Sequence, residues 1–119
     1  MQYKNKRILG NEKEIEACEY LIQNGYEILE HNFRCKTGEI DIIAKEKEYL
    51  VFVEVKFRSN TKTGQPHEAV DIRKMKRIIL TAKYYMYLHG YSEFIPCRFD
   101  VIVQLDNHIE LIKNAFDAF

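Results

Sequence analysis

Two apolar, β-branched runs interrupted by charge constrain this chain more than any other feature. Glu39–Ala44 (EIDIIA) and Leu50–Phe57 (LVFVEVKF) alternate with a period of two and flank the charged stretch KEKEY. β-Branched residues at that period form strands, and a short polar joint makes the two a hairpin. In the first strand Glu39 and Asp41 share a face, while Ile40 and Ile42 take the other. In the second, Glu54 and Lys56 share a face with Phe52, opposite Val51, Val53, Val55 and Phe57. An unpaired charge inside an apolar element is costly, so these four require an explanation.

With the polar faces matched, Asp41 and Glu54 converge at one end of the hairpin, and Lys56 stands one pleat beyond. Two convergent carboxylates are what a Mg²⁺ or Mn²⁺ ion takes from a protein that leaves room for water and substrate phosphate. A lysine beside such an ion can orient or deprotonate the attacking water and neutralise developing negative charge. The implied chemistry is metal-assisted hydrolysis of a phosphodiester. The same spacing also allows a plainer reading, a salt bridge from Asp41 or Glu54 to Lys56 on a solvated face. Glu39, on the face of Asp41, is an accessory candidate.

The remainder of the chain supplies a frame for this hairpin. Ile15, Cys18 and Ile22, with Ala17 and Leu21, recur at helical spacing between Glu12 and Asn24, and Gly25 is placed to end a helix. Tyr26–Phe33 reads as a strand and Cys35–Gly38 as a turn. Arg58–Gln65 is a polar loop. A long helix is expected from His67 to His89, along the stripe Ala69, Ile72, Met75, Ile78, Ala82 and Tyr85, with Gly90 closing it. Cys97–Leu105 and His108–Ile112 read as a terminal hairpin. The order αβββαββ predicts an α/β or α+β fold, a central mixed sheet flanked by helices.

With 119 residues and no linker-like tract, a single domain over 1–119 is expected, with residues 1–10 as a flexible basic arm. No apolar stretch reaches the ~20 residues that span a bilayer, and the N-terminus lacks the apolar core of a signal peptide. Cys18, Cys35 and Cys97 form no CxxC pair, which suits reduced thiols in the cytoplasm better than a disulfide framework.

A formal net charge of zero excludes a basic wrapping protein, but it hides a division. Glu12–Glu54 carries 11 acids against 5 bases, whereas Lys56–Lys83 carries 8 bases against 2 acids. Arg58 and Lys62 follow the second strand directly. Arg73, Lys74, Lys76 and Arg77 crowd one stretch of the long helix. These six are candidate phosphate contacts. No module for reading base edges is visible, so recognition by backbone and shape is the expectation.

Gly38-Glu39-Ile40-Asp41-Ile42-Ile43-Ala44 followed by Phe52-Val53-Glu54-Val55-Lys56-Phe57-Arg58 resembles the D…ExK core of the PD-(D/E)xK nuclease superfamily. The wording is most similar to the YraN-like bacterial family, which is related to archaeal Holliday-junction resolvases. The resemblance runs from about Gly10 to Val103 and includes Gly25-Tyr26, Asn32, Gly64-Gln65-Pro66, Lys74 and Arg98-Phe99-Asp100-Val101.

It implies a restriction-endonuclease-like fold, with Asp41 and Glu54 as metal ligands and Lys56 as the catalytic lysine. Glu14 would be directed from the first helix toward the same site, and Gln65 would be accessory. Lys13 stands where the family usually has glycine. The implied activity is that of a Mg²⁺- or Mn²⁺-dependent DNA endonuclease acting on branched or structured DNA in repair or recombination, as a homodimer by analogy. The alternatives are a nucleic-acid-binding protein that keeps the fold without catalysis, and a protein-interaction module.

Overall fold

A computed structural model of the chain describes residues 6–58, 71–106 and 108–118. The expected order holds: helix α1 (Lys6–Gln23), strands β1 (Glu27–Cys35), β2 (Gly38–Glu46) and β3 (Tyr49–Phe57), helix α2 (Ile72–Leu88), and strands β4 (Cys97–Leu105) and β5 (His108–Phe116). The five strands lie in one mixed sheet in chain order. The pairs β1–β2, β2–β3 and β4–β5 are antiparallel, and β3–β4, joined through α2, is parallel. This α+β architecture, two helices on a five-stranded mixed sheet, is compatible with a restriction-endonuclease-like fold. Among the described residues no helix is long and apolar enough to cross a membrane.

The central strands are covered on both sides, which is why their apolar runs are so dense. One core lies between the sheet and α2, built from Phe52, Ile43, Phe99, Ile78, Ala82 and Tyr85 among others. The other lies on the α1 side and joins Ala17, Leu21 and Tyr26 to Ile42, Val51, Val53 and Ile102.

Several element boundaries differ from the sequence expectation, each for a local reason. Helix α1 begins at Lys6, so residues 6–10, expected in a flexible arm, form its first turns. Its inward seam is Ala17 and Leu21; Ile15 and Ile22 face solvent, because two residues four apart suffice to cover a narrow strip of sheet. At its end Tyr26 N–H donates to Leu21 O and Gly25 N–H to Ile22 O, with Gly25 at φ +93°. That is a Schellman closure, and only glycine adopts its φ without strain.

Helix α2 starts at Ile72, not His67. Asp71 is extended (ψ 174°), and its carboxylate accepts the N–H of Lys74 at 2.9 Å as an N-cap. Residues 67–70 lie outside the described residues. Ile72, expected on the core stripe, is exposed, whereas Ile78, Ile79, Thr81, Ala82 and Tyr85 are buried.

Strand β5 outruns its expected end at Ile112. Lys113 Nζ donates to Glu46 Oε2 at 2.9 Å, Asn114 N–H to Asp100 Oδ1 at 2.9 Å, and Phe116 stacks on Phe99 at 5.0 Å. Tertiary partners here override the weak strand preference of Lys-Asn-Ala.

A buried ionic network ties the strands together. Arg98 donates to both oxygens of Asp100 and to Glu46 Oε1 at 2.7 Å, and Tyr26 OH donates to Asp100 Oδ2 at 2.7 Å. Asp100 is almost fully buried, and its oxygens are saturated by Arg98, Tyr26 and Asn114, which is what makes a charge tolerable there. Burial and the bond to Asp100 push the Tyr26 phenol above its ordinary range. This network gives the Tyr26 and Arg98-Phe99-Asp100 motifs a structural role. The three cysteines are free thiols.

Candidate functional site

The site originates where β2 leaves β3. Their pairing runs from Glu46–Tyr49 to Ile42–Val53 and stops there. At the next position the Asp41 carboxylate takes over from the backbone, with Oδ2 accepting the N–H of Val55 at 2.8 Å. Strict alternation also breaks at this point. Ile40 packs in the α2-side core and Ile42 in the α1-side core, whereas the period-two reading put them on one face. The break falls where Asn32 of β1, at φ +58°, lies level with Asp41.

Glu54 behaves as its parity with Phe52 requires and turns toward α2. It is buried, and Lys74 Nζ meets its Oε2 at 2.7 Å. The plainer alternative, an ion pair from Lys56 to Asp41 or Glu54, does not form. Lys56, half-buried at the end of β3 and in register with Val103, makes no ion pair among the described residues.

Glu14 reaches the site from α1, where Asn32 Nδ2 donates to its Oε1 at 2.9 Å. Asn32 sits in β1 between the His31–Ile42 and Phe33–Ile40 pairs, level with Asp41, at φ +58°. Two further contacts seat this part of α1. Gln104 Nε2 donates to the Lys13 carbonyl at 2.9 Å, and Lys13 Nζ lies over the Phe57 ring at 4.3 Å. Glu39 is more peripheral, exposed and ion-paired to Arg34 at 3.1 Å.

These acids are felt electrostatically at Asp41. Burial, then the charge of Glu54, push its carboxyl up to about 7; Glu14 and Glu39 add to the rise, and the Val55 N–H opposes it. Burial opposes the charge on Lys74, but the hydrogen bond and charge of Glu54, with Asp41 and Glu39 behind it, hold the ammonium above its ordinary range.

Among the described residues no group of three or more His, Cys, Asp or Glu side chains is arranged to hold an ion. Asp41 and Glu54 are the two carboxylates that could hold a Mg²⁺ or Mn²⁺ ion, with water completing the shell. A divalent cation there would relieve the repulsion that Glu54 adds to the burial of Asp41.

Of the basic candidates, Arg73, Lys76 and Arg77 are exposed on α2. Arg58 is half-buried just past β3, and its N–H donates to Gln104 O at 2.8 Å. Lys74 departs from the group by turning inward to Glu54. Lys62 and the accessory candidate Gln65 lie outside the described residues.

Sequence reasoning placed Asn32 in the family resemblance without giving it a role, and missed Gln104 as a positioning residue. Asn32 carried a signal, since asparagine is a poor strand residue inside YEILEHNF. Gln104 carried none, because its bond to Lys13 spans most of the chain.

The similarity to known proteins follows the same residues. The Uncharacterised protein family UPF0102 matches residues 13–103. A UPF0102 protein of Lachnoclostridium phytofermentans is 56% identical over 115 residues, covering 97% of this chain and 98% of its own. One from Clostridium botulinum is 47% identical over 122 residues, covering 98% of each chain. One from Persephonella marina is 46% identical over 110 residues, covering 92% of this chain and 94% of its own. With the match spanning the first helix, the carboxylate hairpin and β4, the chain belongs to the UPF0102 family, the YraN-like group that its motifs resemble.

Proposed function

We propose that this protein is a Mg²⁺- or Mn²⁺-dependent endonuclease that hydrolyses phosphodiester bonds in structured or branched DNA. The observation that carries the reading is the fork at Asp41. Asp41 is bonded to the Val55 N–H and Glu54 is paired to Lys74, and the two lie near enough inside an apolar hairpin for the charge of Glu54 to raise the Asp41 carboxyl. A perturbed acid pair of this kind supports a functional site. Asp41 and Glu54 would hold the ion, which supplies charge neutralisation at the phosphate and a more acidic water.

The chain's own groups do the rest. Lys56, on the Glu54 face of β3, directs its amine to the attacking water and to the charge that develops at phosphorus. Glu14, oriented by Asn32, accepts a hydrogen bond from water on the α1 side. Asp41 must give up its proton before it can ligate. Arg73, Lys76 and Arg77 offer exposed cations to the DNA backbone. The substrate class and a two-fold dimer are brought here by the resolvase resemblance.

The test incubates the purified chain with Mg²⁺ or Mn²⁺ and four-way-junction, flap, nicked and single-stranded DNA, beside Asp41→Ala and Lys56→Ala. Metal-dependent cleavage, reduced about 100-fold or more in both variants, is the expected result. Cleavage that is equal in all three proteins overturns the catalytic assignment. Salt-dependent DNA binding that survives chelation, with no cleavage of any substrate, favours instead a non-catalytic binding protein using the exposed α2 cations.

A further inference from the structure

Two opposed influences meet at Lys74: the start of α2 disfavours its charge and Glu54 favours it. Lys74 lies in the first turn of α2 beside Arg73, where the helix dipole and the free backbone N–H groups disfavour cations, and that turn carries no acid. The Asp71 cap satisfies the backbone N–H of Lys74, and its side chain passes inward instead of into solvent. Its ammonium ends on Glu54 Oε2 at 2.7 Å, while the side chain stays 40% exposed. A buried acid is thus held by a cation whose side chain remains partly open to solvent.

A divalent cation on Asp41 and Glu54 would compete for that same carboxylate. Two cations on one carboxylate repel, and the ion of higher charge prevails. Lys74 then has an outward path, toward the side of α2 where Arg73, Lys76 and Arg77 are exposed.

We propose that Lys74 is a tethered counter-ion. Its ammonium neutralises Glu54 in the metal-free protein, is displaced when a divalent cation binds Asp41 and Glu54, and then contacts a phosphate of the nucleic acid. The cationic face of α2 is complete only in the metal-bound state, so metal and nucleic acid reinforce each other's binding. This inference rests on the metal-dependent reading of the same carboxylates.

The experiment titrates Mn²⁺ into the full chain by calorimetry, comparing wild type with Lys74→Met, Lys74→Arg and Asp41→Ala. Removing the competing ammonium is expected to tighten Mn²⁺ binding on the order of tenfold in Lys74→Met. Lys74→Arg keeps the competitor and stays near wild type. Lys74→Gln, which leaves Glu54 a polar neighbour, gives the same comparison if the methionine variant does not fold.

In parallel, anisotropy of labelled junction DNA is read with and without Ca²⁺. The expected result is a metal-dependent gain in affinity that is large in wild type and small in Lys74→Met. Equal or weaker Mn²⁺ binding in Lys74→Met and Lys74→Gln overturns the counter-ion role while leaving the metal site intact. Heats that are indistinguishable from those of Asp41→Ala in every protein overturn the metal site itself, and this inference with it.

Discussion

The N–H of Val55 donates to Asp41 Oδ2 across 2.8 Å, so a side chain closes a bond that a strand backbone would otherwise make. One contact thereby does two things: it ends the β2–β3 ladder at Ile42–Val53, and it delivers a carboxylate beside Glu54. The sheet's geometry and the site's charge are consequences of the same residue.

The first expectation concerns pH. The folded-state pKa of Asp41 is raised by burial and by Glu54, up to about 7. A raised acid binds its proton more tightly when folded, so this group favours folding at low pH and the benefit drains away as pH rises from about 4 toward that value. Asp41→Asn keeps an acceptor for Val55 and removes the charge. Without divalent metal, the variant should match wild type near pH 4 and exceed it at pH 8 by roughly 2 kcal/mol. Urea titrations across this range check it; parallel pH profiles would sink the idea.

Metal should reverse that penalty. On the proposed reading, Mn²⁺ at about 100 times its dissociation constant adds roughly 2.7 kcal/mol at pH 8. Wild type should therefore melt several degrees higher with Mn²⁺ than with chelator, and Asp41→Ala should not respond. Scanning calorimetry decides between the two, and an equal shift in the variant would place the ion elsewhere.

The ionic network makes the opposite demand. Arg98→Met strands the buried Asp100 and deprives Glu46 of its closest partner. A loss of about 3–5 kcal/mol is expected, since removing one member leaves uncompensated buried charge. Mn²⁺ affinity of the remaining folded protein should stay unchanged, because Glu14, Asp41 and Glu54 are not members of this network. A loss below about 1 kcal/mol in urea would show that the network relaxes freely.

Gln104 ties strand β4 to helix α1 just before Glu14. Its Nε2 bonds the Lys13 carbonyl one residue before Glu14, while its Oε1 has no hydrogen-bond partner among the described residues. Gln104→Ala should cost about 1–2 kcal/mol and loosen α1 at Glu14. Hydrogen exchange should accelerate over α1 and hardly change over β4. Unaltered protection in α1 would mean that Ala17 and Leu21 alone seat the helix.

Much of this arrangement was legible before any coordinates. VFVEVKF alternates so regularly that Glu54 could only share the face of Phe52, and it does. The five strands and two helices follow from apolar periodicity and from glycines at 25 and 90, because those patterns act over a few residues and need no knowledge of the partner. The break at Asp41 was not legible. Local alternation put Ile40 and Ile42 on one face, and nothing in EIDIIA announces that its aspartate takes a donor from a neighbouring strand. The start of α2 was misjudged for a related reason: Asp71 continues the charge pattern of a helix, but its carboxylate caps the backbone.

Sequence alone determined that Asp41, Glu54 and Lys56 occur within apolar strands, that a basic helix follows, and that all of it belongs to one family. Those are properties of order and spacing, and they survive any packing. Only the tertiary structure decided which charges meet: Lys74, not Lys56, neutralises Glu54, and Asn32 holds Glu14. Residues 18 and 20 positions apart become partners through strand pairing and helix docking, and the low dielectric between them turns proximity into a shifted proton or an ion pair.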